Sequence, residues 1–320
     1  MYGGIKLFSG TASVSLAKKI AAYLGEPLSR RDVIEFPNEN LFVRLQKSVR
    51  GQDVYVIQTT TTPVHRNLME LLIMLQTLRL DSASRVTAVI PYMAYARSDK
   101  KDQPRVSITA RLVADMIEVA GADRYVTLDL HAGQIQGFFS IPGDVLTAFH
   151  ILVDYLHSKL DSLHDPVVVA ADLGFAKKGR NFAAQIEAPI AFVEKRRSGG
   201  AGANVEALTI IGSVQDRDVI IVDDEIDTAN SIAQAVKLVK QVGARDVYVV
   251  CVHPVFSYPA VERLACLPIK EIIATDSVPV SVEKRDKLRG RLKILSVAPL
   301  IGEVIRRAHE GRSVGELFHE

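Results

Sequence analysis

Apolar residues recur along the chain in two alternating rhythms. Short β-branched runs at residues 54–58, 85–90, 125–130, 167–170, 191–193, 219–222 and 247–250 carry the signature of buried strands. Longer amphipathic stretches between them predict helices over 68–80, 109–119 and 231–242, with Asn67 placed as a cap for the first. A further helix is predicted over 297–310. Strands that are apolar throughout, alternating with helices, predict an α/β fold of mainly parallel sheets flanked by helices.

The pattern also echoes itself. A helix, Gly121, a strand and His131 follow one another, and so do a helix, Gly243, a strand and His253. Glycine suits the position that ends a helix because it takes positive φ without strain. The echo predicts two similar α/β domains, 1–148 and 149–320, with the join just after Pro142-Gly143-Asp144.

Composition narrows the function classes. The 320 residues are 48% apolar, which excludes a mainly disordered chain. With 39 basic and 37 acidic side chains the net charge is +2, so bulk electrostatics predict neither a nucleic-acid nor a membrane partner. Two cysteines, Cys251 and Cys266, are too few for a disulfide framework or a four-cysteine zinc site, which fits a reducing compartment. No apolar run approaches the ~20 residues of a membrane-spanning helix, and the first residues lack a signal-peptide layout. The expectation is a soluble, cytoplasmic protein.

The strongest chemical signal lies in Val219-Ile220-Ile221-Val222-Asp223-Asp224-Glu225-Ile226-Asp227-Thr228-Ala229-Asn230-Ser231. A hydrophobic strand ends in adjacent carboxylates, and a short loop opens a helix. Ligands of open parallel sheets bind at the carboxyl ends of strands. Loop N–H groups and a helix N-terminus favour a phosphate, to which Thr228 and Ser231 add hydroxyls. Asp223 and Asp224 suit ribose hydroxyls or hydrated Mg²⁺. Acid pair and anion loop together describe a phosphorylated sugar. Taken alone, His131 reads more readily as a hydrogen-bonded strand-end histidine than as a metal ligand, and Lys195-Arg196-Arg197 before the glycine-rich 198–203 stretch as a solvated turn; Asp172 also reads as a turn or cap residue.

The acidic loop resembles the phosphoribosyl-pyrophosphate (PRPP) loop shared by phosphoribosyltransferases and ribose-phosphate pyrophosphokinases. The stretches Asn67-Leu68-Met69-Glu70-Leu71-Leu72, Ala88-Val89-Ile90-Pro91-Tyr92-Met93-Ala94-Tyr95-Ala96-Arg97 and Asp129-Leu130-His131-Ala132-Gly133-Gln134-Ile135-Gln136-Gly137-Phe138-Phe139 resemble the pyrophosphokinases, or PRPP synthetases, and the similarity extends from Lys6-Leu7-Phe8 to the C-terminal tail. That resemblance implies two phosphoribosyltransferase-like domains and transfer of a diphosphoryl group from ATP to ribose 5-phosphate. It implies catalytic cations at Lys195 and Arg197 and ATP contacts at Phe36, Asn38, Asn40, Arg97, Ser98, Asp99 and His131. It implies ribose 5-phosphate contacts at Asp223, Asp224, Asp227, Thr228, Ala229, Asn230 and Ser231, and Mg²⁺ held through His131 and Asp172. It further implies a homo-oligomer, usually a hexamer, and regulation by phosphate or ADP near Arg50 and Arg105.

The chain departs from the family pattern in several places. Phe36-Pro37-Asn38-Glu39-Asn40 stands where the family has Phe-Ser-Asp-Gly-Glu, and Ser98-Asp99 where it has Gln-Asp. Glu225 replaces a frequent methionine. Ala229 and Asn230 replace two glycines. Asparagine tolerates the left-handed region, so Asn230 is expected to take the glycine-like turn and Ala229 to stay at negative φ. Two other readings remain at this point: a catalytically silent regulatory relative, and a phosphoribosyltransferase, whose single-domain core leaves the first part of the chain unexplained.

Overall fold

The computed structural model describes residues 2–198 and 205–317. By packing, the chain divides into two compact units, Met1–Ala148 with Ser277–Pro279 and Ser296–Glu320, and Phe149–Asp276 with Val280–Leu295.

In the first unit the elements run β1 (Ile5–Ser9), α1 (Val14–Leu24), β2 (Arg31–Glu35), β3 (Leu41–Leu45), β4 (Asp53–Ile57), α2 (Val64–Leu80), β5 (Arg85–Ile90), α3 (Thr109–Val119), β6 (Arg124–Leu128) and β7 (Gly143–Leu146). Five of the strands form a wholly parallel sheet in the order β1-β4-β5-β6-β7. Every residue of β4 and β5 is buried, as strands covered on both faces must be. β2 and β3 form a separate antiparallel hairpin.

Leu68, Leu71, Leu75 and Leu78 repeat at helical spacing and seat α2 on the sheet. The cap expected at Asn67 is corrected: α2 begins earlier, behind Pro63, and Asn67 is a buried residue of its second turn. Its side-chain amide donates to the Thr61 carbonyl at 2.8 Å, fastening the preceding loop. The strand expected over 125–130 ends at Leu128, because Asp129 turns to φ 37°. His131 therefore sits in the loop beyond the strand rather than at its end.

The second unit contains α4 (Phe149–His157), β8 (Val167–Ala170), α5 (Ala176–Gln185), β9 (Ile190–Ser198), β10 (Val205–Ile211), β11 (Val219–Glu225), α6 (Asn230–Gln241), β12 (Val247–His253), α7 (Ala260–Ala265), β13 (Glu271–Thr275), α8 (Val282–Lys287) and β14 (Leu292–Leu295). Its seven strands lie in the order β10-β9-β8-β11-β12-β13-β14, parallel except for the β9–β10 edge. Gly121 after α3 and Gly243 after α6 both take positive φ, 112° and 93°, the backbone that the echoed motif requires.

The last helix, α9 (Ala298–Glu310), packs with the first unit. Gly302 lets it approach α1, since a Cβ there would lie 2.4 Å from a Tyr23 ring carbon. Beneath it, a polar cluster replaces oil. Asp53 is fully buried and receives Arg85 Nε at 2.8 Å and Nη2 at 2.6 Å. Tyr55 Oη donates to the same carboxylate at 3.0 Å, and His309 Nδ1 of α9 lies 2.8 Å from it. Arg85 also donates to the Ala308 carbonyl at 3.1 Å.

Candidate active site

In the second unit, the carboxyl ends of β8 and β11 carry the acidic residues, and β12 flanks them. The expectation that β11 stops before the acid pair is corrected: it continues through Glu225, with Asp223 opposite Cys251 and Glu225 opposite His253 on β12. Pairing on this side holds the carboxylates on a rigid strand instead of a loop. Asp223 is partly exposed, whereas Asp224 and Glu225 are buried. Each side chain folds onto the next backbone, Asp223 Oδ1 accepting the Asp224 N–H and Asp224 Oδ1 the Glu225 N–H, both at 2.9 Å. Asp172, just past β8, is anchored by the Phe175 N–H at 2.9 Å. Desolvation, with the charges of Asp224 and then Asp172, pushes the Asp223 carboxyl well above its ordinary range. Burial, with the charges of Asp223, Asp224 and Glu225, pushes up the thiol of Cys251.

Crowded carboxyls of this kind are relieved by a cation, and their oxygens suit a hard, hydrated one. Among the described residues no three acidic, histidine or cysteine side chains form a ready metal cage. A cation that keeps several waters needs only one or two carboxylates, however. Lys178 of α5 supplies part of the compensation, with Nζ 3.8 Å from Asp224 Oδ2. Sequence reading missed this lysine, although its nearness to Asp172 in the chain was a signal.

The loop after β11 overturns one expectation. Ala229, not Asn230, takes the left-handed backbone, at φ 58° and ψ 22°, and Asn230 is the first residue of α6. An alanine in this region is strained by about 1–2 kcal/mol. The physical reason is the sharp turn from strand into helix at the position next to α6. A left-handed residue followed by a helical one points successive N–H groups into one concavity, an anion nest. Ala229 offers no side-chain cap to this helix, and the N-terminus of a helix favours an anion. Thr228 and Asn230 are exposed on the rim, and Ser231 and Asp227 are partly so.

Lys195 and Arg197 lie in the backbone of β9, opposite Leu208 and Glu206 of β10. The strand thus extends beyond the three residues expected for it. Their side chains, and residues 199–204 of the glycine-rich stretch, lie outside the described residues.

In the first unit, Arg97, Ser98 and Asp99 occupy the loop beyond β5, and His131 the loop beyond β6, on neighbouring carboxyl ends of one sheet. Asp99 is buried and accepts a hydrogen bond from Gln134, which ties the two loops together. Arg97 and His131 are exposed. Phe36, Asn38 and Asn40 stand elsewhere, on the tip of the β2–β3 hairpin, which is closed by the Phe36 N–H on the Asn40 carbonyl at 2.9 Å. Phe36 is 47% exposed there, and Phe42 on the same hairpin 43%, their ring centroids 6.4 Å apart. Arg50 and Arg105 are both exposed.

A family model of the N-terminal domain of ribose phosphate pyrophosphokinase matches residues 5–121, and one of the phosphoribosyl synthetase-associated domain matches residues 201–319. The chain is 48% identical over 315 residues to ribose-phosphate pyrophosphokinase 1, chloroplastic, of Arabidopsis thaliana, covering 98% of this chain and 77% of that protein. The chain belongs to the ribose-phosphate pyrophosphokinase family. The ribose-phosphate pyrophosphokinase of Wolinella succinogenes is 45% identical, with 98% and 99% of the two chains covered. The crystal structure of phosphoribosylpyrophosphate synthetase from Mycobacterium smegmatis superposes with a TM-score of 0.90 at 39% identity, covering 97% of this chain and all of that one. As a ribose-phosphate pyrophosphokinase the chain is an enzyme, a transferase that places a pyrophosphoryl group on a ribose phosphate. Among the described residues no helix is long and apolar enough to cross a membrane.

Proposed function

We propose that the C1 hydroxyl of ribose 5-phosphate attacks the β-phosphorus of ATP. The bond from that phosphorus to the oxygen bridging to the α-phosphorus breaks, the diphosphoryl group stays on the sugar, and AMP leaves. The observation that carries the sugar assignment is the Ala229 nest beside the Asp223–Asp224 pair. Thr228, Ala229, Asn230 and Ser231 hold the 5-phosphate, while Asp223, Asp224 and Asp227 accept hydrogen bonds from the ribose hydroxyls. Residues 149–320 thereby supply the sugar site and residues 1–148 the ATP site.

On the ATP side, Arg97 stacks on the base and Ser98 and Asp99 shape its pocket, while Asn38 and Asn40 beside Phe36 meet the base's edge from the hairpin of a neighbouring subunit. Lys195 and Arg197 stabilise charge on the transferring phosphates. His131 of the first unit and Asp172 of the second are each proposed as Mg²⁺ ligands, and the metal would supply positive charge on the phosphate oxygens. The exposed Phe36 supports a homo-oligomer, which we take to be a hexamer, with phosphate or ADP acting near Arg50 and Arg105. Two free cysteines, Cys251 and Cys266, support a cytoplasmic setting.

The sugar site is tested by Asp223→Asn combined with Asp224→Asn. The variant is expected to raise the KM for ribose 5-phosphate at least about tenfold, the weight of one good polar contact, with a much smaller change for ATP. An unchanged ribose 5-phosphate KM in folded protein would remove the loop from the sugar site.

A further inference from the structure

The anion loop is braced from behind by a residue that carries no recognisable motif. Arg263, a partly buried residue of α7, donates from Nη1 to the Thr228 carbonyl at 2.8 Å. That carbonyl belongs to the peptide whose N–H is Ala229's, at the left-handed residue that opens the nest. The residues before it are fastened in the same manner. The Ile226 N–H donates to the His253 carbonyl at 3.0 Å, and the Ile226 carbonyl accepts the Phe256 N–H at 2.9 Å. Lys284 Nζ in turn donates to the Phe256 carbonyl at 2.9 Å. Two cations thus act on peptide carbonyls behind the loop, with no carboxylate as their partner in these bonds.

A cation on a carbonyl oxygen draws electron density out of the peptide, which makes the N–H of that peptide a stronger donor. It also fixes the plane of the peptide. For Ala229 the second effect has particular weight, because an alanine relaxes from the left-handed region unless its surroundings hold it there.

We propose that Arg263 is a positioning residue for the sugar phosphate. It holds and polarises the Thr228–Ala229 peptide so that the Ala229 N–H, with those of the first residues of α6, faces the 5-phosphate. The proposal rests on the assignment of this loop to ribose 5-phosphate. Arg263 touches neither substrate and acts through backbone alone, so its removal affects one substrate selectively.

The test is steady-state kinetics of the full chain with Arg263→Met and Arg263→Lys, alongside the double asparagine variant of Asp223 and Asp224. Arg263→Met is expected to raise the KM for ribose 5-phosphate about tenfold, equivalent to about 1.4 kcal/mol. The KM for ATP and kcat should stay within about twofold, and lysine, which can still donate to the carbonyl, should recover most of the loss. If Arg263→Met does not fold, Arg263→Gln replaces it, with the same rise expected because the charge is gone. A ribose 5-phosphate KM within twofold of the parent, while the aspartate variant is impaired, would overturn the role of Arg263 and leave the loop assignment standing. Failure of both variants to change it would overturn the two together. Equal rises for both substrates would mark a general structural defect and also overturn the proposal.

Discussion

Replacing Asp53 by asparagine keeps its shape and removes its charge at a site with no access to water. The carboxylate is fully buried and gathers four donors: Arg85 Nε at 2.8 Å, Arg85 Nη2 at 2.6 Å, Tyr55 Oη at 3.0 Å and His309 Nδ1 at 2.8 Å. Arg85 keeps only 10% of its side chain exposed, so in the variant its guanidinium stays charged without a counter-ion. Breaking a buried pair in this way destabilises by about 3–5 kcal/mol. Total stability is typically about 5–15 kcal/mol. At roughly 2–4 °C per kcal/mol for a domain of this size, the melting temperature should fall by about 6–20 °C. The effect should couple with α9, because His309 and the Ala308 carbonyl belong to it. Urea unfolding of Asp53→Asn, Arg85→Met and the double variant supplies a thermodynamic cycle. The double variant should lose less than the sum of the singles by about 2 kcal/mol, since neither charge is then left alone. A single variant within about 1 kcal/mol of the parent, or strict additivity, would refute the reasoning.

Two further outcomes follow from the site. Lys195→Ala should lower kcat by roughly 10²–10³-fold, the weight of one preorganised charge on the transferring group, with the circular dichroism spectrum unchanged; near-normal turnover would remove the lysine from catalysis. Of the two free thiols, Cys266 is exposed, whereas Cys251 lies under the carboxylates with its thiol pushed up. Native protein should therefore titrate one thiol per chain with a disulfide reagent and the second only in denaturant. Rapid reaction of both would show that the acidic cluster is not packed over Cys251.

Much of the architecture was legible in the chain because burial on both faces leaves apolar runs. The segments 85–90 and 167–170 coincide with β5 and β8, and 109–119 with α3. Composition conveys less where polar residues are buried. Asp53, Arg85 and His309 look like surface charges in sequence, and only the fold reveals that they fasten α9 to the first sheet. The apolar stripe of α9 says that it packs, not against what. The acid pair was legible as chemistry, but its place inside β11 was not, since periodicity stops being informative once a strand turns polar. Ala229 was misread for a different reason. Propensity argues against left-handed alanine, and tertiary bracing at Thr228 and Ile226 outweighs it. Arg263 had no sequence signal at all, because its partner is a backbone carbonyl.

The central claim is diphosphoryl transfer, and it is tested most directly by product analysis of the purified chain with ribose 5-phosphate, ATP and Mg²⁺, with and without inorganic phosphate. The account predicts AMP and PRPP in equal amounts. ADP as the main nucleotide product would contradict attack at the β-phosphorus. Absence of both products with ATP, GTP and CTP, from folded protein, would contradict catalysis itself and leave the chain as a silent relative of the family.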